Sequence, residues 1–325
     1  MLLVRHHSLS VYPWFIFQNT QTTKQTVGIN IRPTVALLTP TIPTFVPQMN
    51  LQDLRDDVTI VTAYFNLGTF QKGELAFRKF SPSLYRTWMK IFGKIRNPVV
   101  AYFDDDTSVY FEKLRAVGGL TSNLTRVTRI EREKLWSFTL RDNISRIYQT
   151  PDYPVHHPNT VIPEYACAMH AKYELMYQTL MLNPFRTKHF AWLDIGLFRD
   201  LNEAETQFFQ INPPPDFDEN AIAYTDVWRA FRRNISDDII FKANLVWVCG
   251  CFFIGKIDVM FQWVIEYMQF TENFIRNGLM NSDQQVIFAM FSNYSPKSKI
   301  QTYFRHNSSY DEYFYLGYKC KESRK

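Results

Sequence analysis

The sequence has 325 residues, of which 46% are apolar and 16% aromatic, a composition that buries a large core and excludes a disordered chain. Its 36 Lys and Arg residues only slightly outnumber its 31 Asp and Glu residues and are not clustered, which argues against a nucleic-acid partner. No apolar run reaches the roughly 18 residues of a membrane span, so we expect no transmembrane segment in this chain.

The first part of the chain lacks a sustained helical or strand period. Residues 1–56 contain scattered Thr and Pro and are predicted to form an irregular extension, so that the folded domain spans residues 57–325. A short apolar patch near the start is interrupted by Arg5 and Pro13, which makes it a poor signal peptide. An anchor upstream of this sequence is compatible with that pattern.

The folded domain is predicted to open with two strand–helix units. Residues 57–68 are rich in β-branched side chains and break at Asn66, which indicates a strand, and residues 81–95 have helical spacing. Residues 97–106 then form an apolar strand that ends in three carboxylates. A Thr/Ser start and a closing glycine pair predict a helix over residues 107–119.

A second set of elements follows a long connection rich in Pro. Residues 164–182 have the spacing of a helix whose apolar positions leave Lys172 elsewhere on the cylinder, on a solvated face or directed at a ligand. The almost wholly apolar run 189–193 predicts a buried strand, and this strand ends at Asp194. Buried strands do not tolerate a bare carboxylate, so Asp194 needs a specific role.

The alternation continues with a strand over residues 245–255 and an amphipathic helix over 259–278. Alternating strands and helices predict an α/β sandwich with a largely parallel sheet. In such sheets, ligands collect beyond the carboxyl ends of the strands. The carboxylates expected at that edge are those of Asp104, Asp105, Asp106 and Asp194.

Three roles are open to Asp194: a helix cap, a ligand for a hard cation, or a catalytic acid or base. Its neighbours favour a ligand site, because Gly196 permits close backbone approach and Arg199 supplies a planar fork for an anion. The three consecutive carboxylates alternate faces, so Asp105 or Asp106 is expected to cap the following helix. Asp104 is then left to contact a nucleotide.

Several functional classes find no support in the sequence. It contains no phosphate-cradling P-loop, no Gly-X-Gly-X-X-Gly turn after the first strand and no Ser-His-Asp order. Four cysteines occur, but Cys249 and Cys251 lack the two-residue spacer of a zinc site, and structural thiols are expected.

The chain carries five Asn-X-Ser/Thr acceptors for N-glycosylation. This number favours the lumen of the secretory pathway, in the Golgi or the ER, with the cytoplasm as the alternative. The acceptors are Asn123, Asn143, Asn234, Asn293 and Asn307.

Three stretches, taken in order, carry a family resemblance: VTAYFNLG, YRTWMKIFGKIRNPVVAYFDDD and PEYACAMHAKYELMYQTLMLNPFRTKHFAWLDIGLFR. They resemble the HtrL/YibB-like family, a group similar to GT-A-type glycosyltransferases. The match runs over roughly residues 57–315. Its most specific piece leads from Asn183-Pro184-Phe185 into Trp192-Leu193-Asp194-Ile195-Gly196.

The resemblance implies a GT-A-like α/β sandwich with a single mixed, mainly parallel sheet. In GT-A enzymes a central strand ends in Asp-X-Asp, whose carboxylates bind a divalent cation, Mn²⁺ or Mg²⁺, that bridges the diphosphate of a nucleotide-sugar. Asp194 matches the first aspartate, and Gly196 stands in place of the second. This implies either metal binding by Asp194 with help from elsewhere or loss of metal dependence.

Further positions match elements that line the donor and acceptor pocket in this fold class. Asp283, in a helix start that resembles one of them, is the candidate base for the acceptor hydroxyl, with the N-cap of its helix as the alternative. Lys172 is expected to reach the diphosphate. The residues expected to bind the donor are Asn66, Asp104, Lys172, Gly196, Arg199 and Gly250, with Asp194 as the metal ligand.

The sequence therefore predicts a glycosyltransferase that moves a sugar from a nucleotide-sugar to a glycan or glycoconjugate acceptor. The alternative is a non-catalytic carbohydrate-binding or interaction protein on the same fold, because Gly196 replaces the second aspartate. We further expect that Asp194 has no protein cation as a partner, and that the space above Gly196 is open to a metal or diphosphate. One cleft is expected to bring together Asp104, Lys172, Asp194, Arg199 and Asp283.

Overall fold

The computed structural model of the protein describes residues 42, 53–201, 207–227, 231–305 and 311–323. Nearly all of the extension predicted over residues 1–56 lies outside the described residues, as does the acceptor Asn307, so both stay predictions. The described residues belong to one compact unit, residues 38–325.

Strands and helices alternate along most of the described chain. The strands are β1 (Arg55–Tyr64), β2 (Phe70–Gln71), β3 (Lys79–Phe80), β4 (Val99–Phe103), β5 (Thr125–Arg129), β6 (Thr187–Leu193), β7 (Ile222–Asp226), β8 (Val248–Lys256) and β9 (Ile300–Tyr303). The α-helices are α1 (Pro82–Met89), α2 (Thr107–Val117), α3 (Trp136–Thr139), α4 (Arg141–Tyr148), α5 (Pro163–Leu182), α6 (Asp237–Lys242), α7 (Ile257–Arg276), α8 (Asp283–Asn293) and α9 (Tyr315–Glu322). Short 3₁₀ helices cover Lys90–Lys94, Arg132–Lys134 and Glu312–Phe314.

Seven of these strands form one sheet in the order β5-β4-β1-β6-β8-β7-β9, and β2 pairs with β3 in a separate hairpin. β8 runs antiparallel to β6 and β7, whereas the other pairings within the sheet are parallel. This confirms the predicted α/β fold with a mixed, mainly parallel sheet. Because β8 is reversed, its amino end lies at the same edge as the carboxyl ends of β1, β4 and β6.

The strand that carries Trp192 lies at the centre of the sheet. β6 is the fourth of the seven strands, and all of its residues except Lys188 are buried. A strand covered by helices on both faces reads as a continuous apolar run, which is the pattern seen in the sequence. The predicted central position is therefore confirmed.

Two hydrophobic cores cover the two faces of the sheet. One contains buried residues of α3, α4, α5, α7 and α8, and the other contains buried residues of α1, α2 and α9. Because α5 is buried over most of its surface, its polar residues His170 and Lys172 also lie in the interior. None of the helices in the described part of the chain is long and apolar enough to cross a membrane.

The cysteines differ in part from the expected structural thiols. Cys249 and Cys251 form a disulfide across Gly250 at the amino end of β8, whereas Cys167 and Cys320 are buried free thiols. Alternate residues of a strand point to the same face, which brings the two side chains near each other.

Candidate active site

The carboxylate of Asp194 is held at the end of β6 by two local hydrogen bonds. Its backbone N–H donates to the carbonyl oxygen of Cys251 at 2.9 Å, which continues the pairing of β6 with β8. Its Oδ1 accepts a hydrogen bond from Nε1 of Trp192 at 2.6 Å. The side chain is 33% exposed, so the carboxylate has a fixed orientation and still reaches solvent.

Lys172 projects from α5 into the space between two carboxylates. Its Nζ lies 3.2 Å from Oδ1 of Asp194 and 3.2 Å from Oδ2 of Asp283, and it donates to the carbonyl oxygen of Gly250 at 2.8 Å. The lysine side chain is only 2% exposed. A buried ammonium of this kind persists only when it is paired and hydrogen-bonded.

These contacts correct two expectations. The alternative that Lys172 lies on a solvated face of α5 is wrong, because α5 packs against the sheet and the lysine side chain points inward. The expectation that Asp194 has no protein cation as a partner is also wrong, because the ammonium of Lys172 lies within salt-bridge distance.

Asp283 is the first residue of α8, and it does not cap the helix. Ser282 caps α8 through a capping box in which its backbone N–H and its hydroxyl both donate to Oε1 of Gln285. The Asp283 side chain, 3% exposed, instead directs Oδ2 at Lys172. The N-cap alternative is therefore wrong, and the acceptor-base role stays a prediction.

Burial and charge act against each other within this group. Burial raises the pKa of the Asp283 carboxyl, and the positive charge of Lys172 opposes that rise. Burial lowers the pKa of Lys172, but Asp194 and Asp283 outweigh burial and raise it above the ordinary value. Lys172 is therefore charged at neutral pH and compensates one of the two carboxylates.

Asp104 belongs to a second group of polar residues at the same edge of the sheet. Its Oδ1 accepts the backbone N–H of Asn66 at 2.9 Å, and its Oδ2 accepts NH1 of Arg132 at 3.1 Å. Burial raises the pKa of Asp104, whereas Asn66 and Arg132 lower it. Asp105 accepts the backbone N–H of Thr107 at 2.9 Å, so it satisfies a donor at the start of α2, as expected of a cap.

The two groups are neighbours but do not touch through these residues. β1 separates β4 from β6 in the sheet, so the strand ends that carry Asp104 and Asp194 are two strand spacings, roughly 10 Å, apart. An open cleft of about 610 Å³ adjoins the group of Asp104. Its lining residues include Asn66, Asp104, Asp105, Arg129 and Arg132.

Two tyrosines that the sequence did not single out lie between the groups. The rings of Tyr64 and Tyr85 are 5.3 Å apart. Burial, with Asp105 and Asp104 next, raises the pKa of Tyr64 to about 12. Burial also raises the pKa of Tyr85, and the charge of Asp194 adds to that rise. Tyr64 therefore lies near the carboxylates at the end of β4, and Tyr85, which packs against it, lies near the carboxylate of Asp194.

The space above Gly196 is filled by an aromatic ring. A β-carbon at Gly196 would lie 3.0 Å from an atom of the Trp88 indole, so the expectation of an open space there is wrong. The glycine is needed for close packing of Trp88. Beyond it, the Arg199 guanidinium lies over the rings of Phe314, at 4.5 Å, and Trp88, at 5.8 Å.

The residues around Asp194 do not fit a divalent-cation site built from several carboxylates. Both of its oxygens lie within 3.4 Å of the Lys172 ammonium, and one also accepts from Trp192. The part of the chain that the structure describes contains no group of three His, Cys, Asp or Glu side chains suited to a metal. Asp194 as a metal ligand stays a prediction, and no step proposed below passes through a metal.

Solved structures similar to this chain include three sugar-transferring enzymes. Core-mannan synthase A of Aspergillus fumigatus, in its Mn/GDP form, is 11% identical with a TM-score of 0.40, and the similarity covers 80% of each chain. The mannosyltransferase Ktr4p of S. cerevisiae is 11% identical with a TM-score of 0.42, over 80% of this chain and 73% of that one. The galactosyltransferase LgtC with donor and acceptor sugar analogues is 11% identical with a TM-score of 0.37, over 73% of this chain and 72% of that one.

No curated protein matches the chain. Residues 56–304 match the family described as "Bacterial protein of unknown function (HtrL_YibB)". This match covers the strands and helices that carry Asp104, Lys172, Asp194 and Asp283. Because it extends over well more than half of the sequence, the chain belongs to the HtrL/YibB family.

Proposed function

We propose that this protein is a glycosyltransferase that takes its sugar from a nucleotide-sugar. The observation that carries the proposal is the convergence of Asp194, Lys172 and Asp283 at the carboxyl edge of a mainly parallel sheet. Ligands of α/β proteins bind at this edge. The resemblance of residues 163–199 to a family similar to GT-A enzymes supports the same chemistry.

Glycosyl transfer breaks the bond between the anomeric carbon and the diphosphate and forms a bond from that carbon to an acceptor oxygen. The acceptor hydroxyl must lose its proton to a base, and the leaving diphosphate needs a positive charge beside it. Asp194 and Asp283 are the carboxylates that serve the first need. Arg199, which makes no ion pair with a described residue, serves the second.

This division of roles changes the expected role of Lys172. An ammonium has three hydrogens, and the acceptors around Lys172 are Asp194, Asp283 and Gly250. No hydrogen is left for a diphosphate. Lys172 therefore supports the site from within, and the contact with the diphosphate passes to Arg199.

The two carboxylates differ in access. Asp194 is 33% exposed and Asp283 is 3% exposed, so Asp194 is the carboxylate that first meets a substrate. Asp283, the candidate base, is reached only by an acceptor that enters deeply. Replacing each by Asn separates the roles, because loss of the base lowers turnover more than donor affinity.

The test of the proposed function is calorimetry with a panel of UDP- and GDP-sugars, with and without Mn²⁺, followed by transfer assays with the donor that binds. We expect one nucleotide-sugar to bind and Asp194→Asn to abolish transfer. Binding of free glycans without any nucleotide-sugar would favour the non-catalytic carbohydrate-binding alternative. The two arms with and without Mn²⁺ test the metal prediction directly.

We place the protein in the lumen of the secretory pathway. The support is the set of N-glycosylation acceptors, of which Asn123, Asn234 and Asn293 are exposed at the surface of the described chain. Expression in secretory cells followed by endoglycosidase digestion tests this, with a loss of apparent mass expected. Substituting Asn123 and Asn234 by Gln should remove part of that shift, and an unmodified protein in the cytoplasm would contradict the placement.

A further inference from the structure

Four separate elements of the fold meet at one buried ammonium. Lys172 comes from α5, Asp194 from the end of β6, Gly250 from β8 and Asp283 from α8, and each of the three partners lies within hydrogen-bond distance of Nζ. We propose that Lys172 is a positioning residue, whose ammonium holds Asp194 and Asp283 as one unit and occupies the place between them that a divalent cation would need. The proposal deepens the proposed function and rests on it only for the transfer readout.

The distances from Nζ to the two carboxylates show that the Lys172 ammonium takes the position between them. Mn²⁺ and Mg²⁺ bind carboxylate oxygens at about 2.1 Å, so a cation shared by Asp194 and Asp283 would lie beside the Lys172 ammonium, whose Nζ is 3.2 Å from an oxygen of each. The two positive charges would repel each other strongly at that distance. The Lys172 side chain is 2% exposed, so its ammonium cannot reach solvent without leaving the core. A cation that reaches Asp194 therefore approaches from the solvent side, without Asp283.

The same contacts set the orientation and the charge of the carboxylates. Asp194 is held by Lys172 on one side and by Trp192 on the other, which leaves its exposed surface directed at the edge of the sheet. Asp283 is fully buried, and Lys172 is the positive charge that keeps its ionised form accessible there. Removal of the ammonium leaves a buried carboxylate without compensation, which is strongly unfavourable.

A stabilising role alone does not explain the arrangement. Buried ion pairs contribute little net stability compared with apolar side chains of similar size, because both charges lose their hydration. The ammonium also leaves one of its two carboxylate partners partly open to solvent. An interaction that holds one exposed carboxylate in one orientation is what a reacting group needs.

The first experiment uses the free protein and no nucleotide-sugar. Lys172→Met removes the charge at similar length, and Lys172→Met with Asp283→Asn removes the buried carboxylate as well. We expect the difference in melting temperature between the single variant and the wild type to shrink as the pH falls from about 7 to about 5, because protonation of Asp283 removes the uncompensated charge. The double variant should lack this pH-dependent recovery, and it keeps the test available if the single variant does not fold at neutral pH.

Metal binding is measured on the same proteins by electron paramagnetic resonance of Mn²⁺. If Lys172 occupies the place between the carboxylates, Asp283→Asn should change the affinity of the wild type for Mn²⁺ by less than about twofold. Loss of Mn²⁺ binding in Asp283→Asn would show a metal shared by the two carboxylates and would overturn the proposal. An identical pH dependence of stability in the wild type and in Lys172→Met would also overturn it.

The transfer assay separates positioning from simple stabilisation. The folded double variant should turn over about 100-fold more slowly than Asp283→Asn alone, which already lacks the candidate base, with a change in the KM for the donor of less than about threefold, because Arg199 and the cleft beside Asp104 are untouched. Equal turnover in the double variant and in Asp283→Asn would contradict a positioning role. If the wild type transfers no sugar, the proposed function fails, and the stability and Mn²⁺ measurements still decide the role of Lys172.

Discussion

The carboxylate of Asp283 lies directly against the bare α-carbon of Gly250. A β-carbon at Gly250 would be 2.1 Å from Oδ2 of Asp283, far inside van der Waals contact. The carbonyl oxygen of the same glycine accepts a hydrogen bond from Lys172 at 2.8 Å. Gly250 therefore lets the start of α8 approach β8 closely enough for the ammonium to reach both.

Gly250→Ala should for this reason displace Asp283 and disturb the contacts of Lys172. We expect a loss of transfer of about 100-fold and a loss of stability of about 1–3 kcal/mol from overpacking. Turnover per folded molecule and urea unfolding measure the two effects separately.

Gly255→Ala is the matched control on the same strand. Its β-carbon would lie 2.4 Å from Cδ1 of Ile222, the end of a flexible side chain away from Asp283. We expect it to lose stability while turnover per folded molecule is kept. Equal losses of turnover in Gly250→Ala and Gly255→Ala would show that the close approach at Gly250 has no functional role.

The sequence predicted the frame of this site better than its contacts. The apolar run before Asp194 placed β6 at the centre of the sheet, because only a strand covered on both faces has that pattern. The Lys172 partner of Asp194 comes from α5, and the second carboxylate bound to that lysine, Asp283, comes from α8. No local period encodes such contacts. One indication was available for Lys172: apolar residues surround α5 on most sides, so a lysine within it must be buried and paired.

The contacts of Gly196 and Cys249 illustrate a different limit. Gly196 was correctly expected to allow a close approach, but the pattern does not say which group approaches, and Trp88 from α1 takes the space. Cys249 and Cys251 have no metal-site spacing, yet two positions on one face of a strand are near enough to form a disulfide. In both cases the residue type indicates which kinds of contact can form, and the contact that does form depends on which side chains the fold brings close.

Asp194→Asn tests the exposed carboxylate. Shape is kept and charge is removed, so we expect transfer to fall by at least about 100-fold, while Lys172 keeps Asp283 and Gly250 as partners and the melting temperature changes by only a few degrees. Differential scanning calorimetry and the transfer assay measure this.

Asp106→Asn is the control, because Asp106 follows β4 at the same edge but is 82% exposed and paired with Arg129. A large loss of stability in Asp194→Asn with donor binding intact would make Asp194 a structural partner.

Arg199 tests the neutralisation of the diphosphate. Its guanidinium is held over Phe314 and makes no ion pair within the described chain. A charge-assisted hydrogen bond contributes about 1.5–3 kcal/mol, so Arg199→Ala should weaken donor binding by about 10- to 100-fold. Arg199→Lys keeps the charge but loses the planar fork, and we expect an intermediate effect.

Calorimetry with the nucleotide-sugar measures these affinities. Arg96→Ala is a suitable control, because Arg96 also lies over an aromatic ring, that of Phe208 at 5.3 Å, but precedes β4 at the opposite edge of the sheet. Its affinity for the donor should match that of the wild type. If Arg199→Ala binds the donor as the wild type does, the diphosphate is neutralised by another group.

The buried side chain of His170, in α5, should make the free energy of unfolding depend on pH. The ring hydrogen-bonds the hydroxyl of Tyr267 at 2.7 Å, and burial, with the nearby charge of Lys172, lowers its pKa from 6.5 to about 3. Between these two pH values the unfolded chain binds a proton at His170 that the folded chain does not. The free energy of unfolding should therefore fall as the pH drops below 6.5, by up to about 1.4 kcal/mol per pH unit from this residue. The contribution is fully present above 6.5.

Urea unfolding of the wild type and of His170→Gln at several pH values between about 7 and about 4 measures this dependence. Glutamine keeps a hydrogen-bonding group near Tyr267 but does not titrate, so the variant should lose stability less steeply on acidification. Asp283 contributes with the opposite sign, because burial raises the pKa of its carboxyl in the folded state. That contribution is common to both proteins and cancels in the difference. Parallel curves for the two proteins would mean that His170 is protonated in the folded state.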